Sequence, residues 1–137
     1  MPERKPVVVD GSNVAFEETT AAGKPKVANL VAVRRELERL GFDPIIVIVD
    51  AAFHHQVDDP RQLESLIDDQ VVRQAPAGTD ADYFVLTTAG EERAVVVSND
   101  LYRPYEHQFP WIRKRRIPLM IVDGHVELYE PKLERDD

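Results

Sequence analysis

The chain has 137 residues, 43% of them hydrophobic, with a formal net charge of −8 and no cysteine. Those values suit one domain with a real core, exclude disulfides and thiolate metal sites, and fit a reducing cytoplasm. The negative charge argues against a uniformly basic nucleic-acid binder, yet it is compatible with acids gathered around a divalent cation. No apolar run reaches the length of a membrane span, and the N-terminus carries no signal-peptide hydrophobic core, so no membrane is expected.

Residues 1–6 read as a frayed polar start. Val7-Val8-Val9 is a short buried strand, followed by Asp10, a tight Gly11-Ser12 turn and Asn13. Residues 16–26 contain Gly23 and Pro25 and read as a loop. Apolar residues then recur at Val27, Leu30, Val33, Leu37 and Leu40, the stripe of an amphipathic helix that Gly41 should stop. Ile45-Ile46-Val47-Ile48-Val49 is a second strand whose unbroken apolar run implies cover on both faces, as in a parallel sheet. Residues 50–59 form a loop with His54-His55. Asp59-Pro60 marks a helix start, with Leu63, Leu66 and Ile67 as its buried face.

Val71-Val72 is a weaker third strand, broken at 75–78. A helix is expected over 79–89, stopped by Gly90, and Ala94-Val95-Val96-Val97 is the fourth strand, ending in Ser98-Asn99-Asp100. Pro104 and Pro110 interrupt residues 101–116, so a helix there begins late. A fifth strand is expected over 118–122, turned back by Asp123-Gly124 into a short antiparallel edge at 125–129. Residues 134–137 form an acidic tail. Strands alternate with helices, so the expected fold is a three-layer α/β/α domain with a mostly parallel five-stranded sheet and a short C-terminal hairpin edge. One domain spans 1–137, with its core over about 6–130.

Ligands in open α/β sheets gather outside the carboxyl ends of the strands. Asp10 and Asn13 follow the first strand, Asp80 and Asp82 open the helix after the third, and Ser98, Asn99 and Asp100 follow the fourth. If the first and fourth strands are neighbours, these segments meet on one edge. Carboxylates held together repel and shift their pKa values upward, a penalty that Mg²⁺ or Mn²⁺ removes. Each group also has a local reading. Asp10 suits an Asx turn, Asp82 a capping box opened by Thr79, and Ser98, Asn99 or Asp100 an ordinary N-cap. Asp80 and Asp82 point to nearly opposite sides of a helix. Asp82 is therefore the candidate metal ligand, and Asp80 is a capping or supporting group.

The stretch from Val8 through Asp10-Gly11-Ser12-Asn13 to Ala15, and Val96-Val97-Ser98-Asn99-Asp100 followed by Tyr102-Arg103, resemble two motifs of one family. This is the NYN branch of the PIN-like ribonucleases, and within it the Regnase-type domain found in animal proteins beside a CCCH zinc finger. Asp82 and Phe84 sit where that family carries an acid and a phenylalanine, and Leu119-Met120 fit its final core strand. The resemblance covers about residues 5–129 and implies a PIN-like, Rossmann-like fold. It implies a metal-dependent endoribonuclease that acts on single-stranded RNA and leaves 5′-phosphate and 3′-hydroxyl ends. Asp10, Asp82 and Asp100 would bind Mg²⁺ or Mn²⁺, and Asn13 would complete the catalytic set. Ser12, Asp80, Ser98 and Asn99 would support it. The family carries another acid four residues after the Asp100 position. Pro104 stands there instead, so either the nearby Glu106 compensates or one metal position is weakened.

RNA affinity depends on cations that neutralise phosphates. Arg113-Lys114-Arg115-Arg116 and Arg103 are the candidate footprint, with a solvated helix face as the alternative. Tyr83, Tyr102, Tyr105 and Trp111 could stack on bases, though core or rim packing explains any one of them. His54-His55 lacks a third ligand nearby in sequence. Gly-rich phosphate loops are absent, which argues against nucleotide hydrolysis. A phosphohydrolase with Asp10 as nucleophile expects an acid two residues on, where Ser12 stands. A non-catalytic RNA-binding or protein-interaction domain on the same fold is the competing reading. A homodimer is left open, since isologous pairing is common.

Overall fold

Val7-Val8-Val9 forms the centre of the sheet. In the computed structural model, which describes residues 4–130, the three valines of β1 (Val7–Asp10) are fully buried. Residues 1–3 and the acidic stretch at 134–137 lie outside the described residues. Val7 and Val9 pack into one apolar layer and Val8 into the other, as the two-residue period of a strand requires. The Gly11-Ser12 step is no simple turn: it is the start of α1 (Gly11–Ala15), which begins directly at the strand end. Only glycine fits there. A Cβ on Gly11 would lie 2.7 Å from the Ile48 carbonyl oxygen and 2.8 Å from Val49 Cγ1.

The chain continues through α2 (Val27–Arg39), β2 (Ile45–Val49), a 3₁₀ turn (Phe53–His55), α3 (Pro60–Asp68) and β3 (Val72–Gln74). Asp59 caps α3, its carboxylate accepting the Gln62 N–H at 3.1 Å, with Pro60 in the first turn. Next come α4 (Ala81–Glu92), β4 (Val95–Val97), a second 3₁₀ turn (Arg103–Tyr105) and α5 (Ile112–Arg115). The last elements are β5 (Arg116–Ile117), β6 (Leu119–Val122) and β7 (His125–Leu128).

Five strands form a parallel sheet in the order β3-β2-β1-β4-β5. The chain winds outward from β1 in one direction, then returns to β4 on its other side. The order therefore reverses between β1 and β4, the place where such sheets open a crevice beyond their carboxyl ends. The first and fourth strands are neighbours, and the segments after them meet. Residues from α1, α2, α3 and the β6–β7 hairpin share one core layer; those from α4 and α5 share the other. Among the described residues, no helix is long and apolar enough to cross a membrane.

Several boundaries differ from expectation. The fifth strand of the sheet is Arg116–Ile117, not 118–122. Pro118 follows it without an N–H to offer a ladder. Leu119–Val122 instead pairs with His125–Leu128 as a separate two-stranded sheet, with Leu119, Ile121 and Val126 turned into the core. The helix expected to stop at Gly90 runs on to Glu92 and ends where Arg93 adopts a left-handed conformation, φ 54°. Its N-cap is Asp80 rather than Thr79. Last, Arg116 belongs to a strand, so only Arg113, Lys114 and Arg115 share a helix.

Candidate active site

Asp10 ends β1 with only 6% of its surface exposed, a position that disfavours its charge. Three donors answer that cost. Its Oδ1 accepts the Asn13 N–H at 3.4 Å, and its Oδ2 accepts the Ser98 hydroxyl at 3.2 Å and the Tyr102 hydroxyl at 2.5 Å. Burial pushes the Asp10 carboxyl above its ordinary range, the three donors pull it back, and the Asp100 charge adds to the rise.

The segment after β4 is stitched to the segment after β1. Ser98 Oγ donates to Asp10 and accepts the Asp100 N–H at 3.0 Å. Asn13 Oδ1 accepts the Asn99 N–H at 3.0 Å. The Asn99 side chain holds the Leu119 backbone at both ends, donating to its carbonyl and accepting its N–H, each at 2.9 Å. Asp100 Oδ1 accepts the Tyr102 N–H at 2.7 Å, closing the turn in which Tyr102 takes a left-handed conformation. Asp100 is half-buried, and among the described residues no hydrogen bond reaches its second oxygen.

Asp82 comes from the other side of the crevice, in the first turn of α4. Its carboxyl is pushed up to about 6, first by burial and then by the charges of Asp10, Asp100, Asp80 and Asp50. Four acids from different parts of the chain therefore bear on Asp82. Asp80 is the helix cap: its Oδ1 accepts the Asp82 N–H at 3.0 Å, and its Oδ2 accepts the Tyr105 hydroxyl. Ser12 points elsewhere. Its Oγ accepts the Asp50 N–H at 3.0 Å and so ties α1 to the end of β2.

Sequence reading overlooked two members of this group. Asp50 directly follows β2 as Asp10 ends β1, so the strand-end rule that singled out Asp10 applies to it equally. Tyr102 packs in the core with 1% exposure, the reading favoured over base stacking, but its hydroxyl also donates to Asp10, which was not foreseen. The Tyr102-Arg103 motif marks its position, but its role depends on a contact across 92 positions. Glu106 turns its carboxylate to Arg113, with an N–O distance of 3.3 Å.

The basic residues divide. Arg116 donates to the Ser98 carbonyl at 3.1 Å, which ties β5 to the end of β4. Leu101, which follows Asp100 in the chain, lines a shallow pocket of about 240 Å³ with Arg103, Glu106, Ile112, Arg113 and Arg116. Arg103 and Lys114 are exposed, and Arg115 lies over Trp111. The His54 and His55 ring centroids lie 3.8 Å apart with their planes tilted by 42°, and His54 Nδ1 contacts the Ala51 carbonyl.

The donor set fits a hard divalent cation in kind. It consists of carboxylates, their mutual repulsion favours a positive charge among them, and the chain has no thiol to recruit a softer metal. Among the described residues, no three His, Asp or Glu side chains close into a ready ligand set.

Residues 3–136 match the family described as the Zc3h12a-like ribonuclease NYN domain. Among curated proteins nothing matches the chain. Among solved structures, the chain is similar to nuclear proteinaceous RNase P 2 (PRORP2) from A. thaliana, with a TM-score of 0.74 and 22% identity over 93% of this chain. A second structure, of Arabidopsis thaliana nuclear protein-only RNase P 2, gives 0.72 and 20% over 96%. The chain spans only 30% and 31% of those proteins, so the likeness establishes a shared fold for this part of them.

Proposed function

Because the chain belongs to the Zc3h12a-like ribonuclease NYN domain family, we propose that it is a Mg²⁺- or Mn²⁺-dependent endoribonuclease that hydrolyses phosphodiester bonds of single-stranded RNA. The observation that carries this reading is the convergence of acids on Asp82, whose carboxyl is raised to about 6 by burial and by Asp10, Asp100, Asp80 and Asp50. A fold does not gather repelling charges at its ligand crevice for stability, and perturbed acids in a cleft mark functional sites.

In this reading Asp10, Asp82 and Asp100 hold the cation. When bound, it supplies Lewis-acid stabilisation of phosphoryl oxygens and lowers the pKa of water at the site. The chain's own groups do the rest. Ser98 and Tyr102 fix the Asp10 carboxylate, so it enters the reaction without reorganisation. Asn13 is held by the Asn99 backbone through its oxygen, which leaves its NH₂ to donate toward the crevice. Arg103, Arg113 and Arg116, with Lys114 and Arg115, neutralise phosphates of the bound strand. A reducing cytoplasm suits the cysteine-free chain and belongs to the same proposal.

One observation favours a second reading, a binding domain with weak or no catalysis. Both Asp10 oxygens already accept hydrogen bonds, and Pro104 stands where the resembled family has an acid. Cleavage of end-labelled single-stranded RNA separates the two. The expected result is cleavage in Mn²⁺, none in EDTA, and loss in both Asp10→Asn and Asp100→Asn. RNA binding without cleavage by the unaltered protein in Mn²⁺ would establish the second reading.

A further inference from the structure

A strip of aromatic rings leaves the acid cluster along α4. Tyr83 is adjacent in sequence to Asp82, and its ring is 40% exposed. Its centroid lies 6.2 Å from that of Tyr105 and 5.8 Å from that of Phe109; Phe109 in turn lies 5.9 Å from Trp111. Trp111 closes the strip two helical turns from Tyr83, against Gly90, where its Cζ2 would lie 3.4 Å from an added Cβ. The Arg115 guanidinium sits over the Trp111 ring at 4.7 Å, and Lys114, its neighbour in α5, is exposed. At the other end, the Tyr105 hydroxyl is bound to the Asp80 carboxylate.

We propose that this strip is the stacking shelf for the bases flanking the scissile bond, with Tyr83 as the ring nearest the acids and the cations around Trp111 holding the phosphates. The inference rests on the ribonuclease reading and adds a path to it: the strand leaves the carboxylates along α4 toward α5. Core packing accounts for the buried edges of Tyr105, Phe109 and Trp111, but not for the exposure of Tyr83 or for cations gathered at the far end. Aromatic rings beside cations are what a single strand needs, since every base has a face to stack and every link a charge to neutralise. Charge complementarity points the same way. In a chain of net charge −8, the shelf ends on cations.

The chain has one tryptophan, so the shelf reports on itself. The full protein in EDTA, where the ribonuclease reading predicts no cleavage, is titrated with an oligouridine of about a dozen nucleotides. The control is a chain of the same length with abasic sites in place of bases. The expected result is a change in Trp111 fluorescence on binding the oligouridine and weaker binding of the abasic chain. Tyr83→Ala should weaken oligouridine binding about ten-fold, as loss of one stacked base does, and bind both chains more nearly alike. Tyr83→Phe, which keeps the ring, should bind like the unaltered protein. Equal affinity of Tyr83→Ala and the unaltered protein, with Mn²⁺-dependent cleavage and its KM also unchanged, overturns the shelf and leaves the ribonuclease reading standing. Base-dependent binding with no cleavage in Mn²⁺ does the reverse. Failure to bind the oligouridine, with Trp111 instead becoming buried as protein concentration rises, assigns the rings to a second copy of the chain and overturns the proposal.

Discussion

Replacing Asp82 with asparagine should stabilise the cation-free protein, although it removes a candidate catalytic group. The Asp82 carboxyl is raised from 3.8 to about 6 in the folded state. Above pH 6 it is charged in both folded and unfolded chains, and the full penalty of its surroundings is present. Between about pH 4 and 6 the folded chain holds the proton more tightly, so stability climbs as pH falls. Below that window the group is neutral in both states and the penalty is gone. A shift of two units is worth a ceiling of about 3 kcal/mol. Asp82 is half-buried, so water and salt screen part of this, leaving about 1–2 kcal/mol. Asparagine keeps the shape and drops the charge. Thermal unfolding in EDTA at pH 7.5 and low salt should show Asp82→Asn melting about 3–6 °C above the unaltered protein. At pH 4 the two should melt together. Adding Mg²⁺ should then stabilise the unaltered protein more than the variant, because ligand that binds only the folded state raises its stability. A lower melting temperature for Asp82→Asn at pH 7.5, or a gain that persists at pH 4, would refute the account of mutual repulsion.

Tyr102→Phe removes the shortest bond to Asp10 and leaves a buried carboxylate with fewer donors. It should cost about 1–3 kcal/mol and move the acidic limb of the cleavage pH profile upward, since Tyr102 holds the Asp10 carboxyl down; an unmoved limb argues against Asp10 as the titrating group. Gly11→Ala forces a methyl against the Ile48 carbonyl and should destabilise by about 1–3 kcal/mol or more in urea unfolding. A neutral result would mean that α1 shifts freely against β2. Asn99→Ala strips both partners from the Leu119 backbone, so amides at 119–128 should exchange hydrogen faster while those of β1 keep their protection. Unchanged exchange in the hairpin would show that its apolar face alone secures it.

Local pattern was enough for the centre of the fold. Val7-Val8-Val9 and Ile45-Ile46-Val47-Ile48-Val49 are unbroken apolar runs with acids at their ends, and an amphipathic stripe lies between them. The boundaries that escaped were decided by distant contacts. Gly90 reads as a stop, yet it stays helical at the place where Trp111 packs against α4. Pro118 divides what looked like one strand into a sheet edge and the start of a hairpin.

The site divides in the same way. Acids at strand ends are visible locally, and Asp50 was visible too by the rule that found Asp10. Ser98 and Asn99 were legible as supporting residues, but the bonds that do the positioning were not, because Tyr102 reaches Asp10 across 92 positions and Asn99 reaches Leu119 across 20. This division also has an energetic side. Asp10, the most buried acid, has donors on both oxygens, so the fold itself offsets much of its burial. Among the described residues, no hydrogen bond reaches the Asp82 carboxylate, which instead faces four other acids. The fold has therefore prepared Asp10 and left Asp82 unsatisfied. Stabilisation by a cation should accordingly depend more on Asp82 than on Asp10, although Asp10 is the residue the sequence marks most clearly.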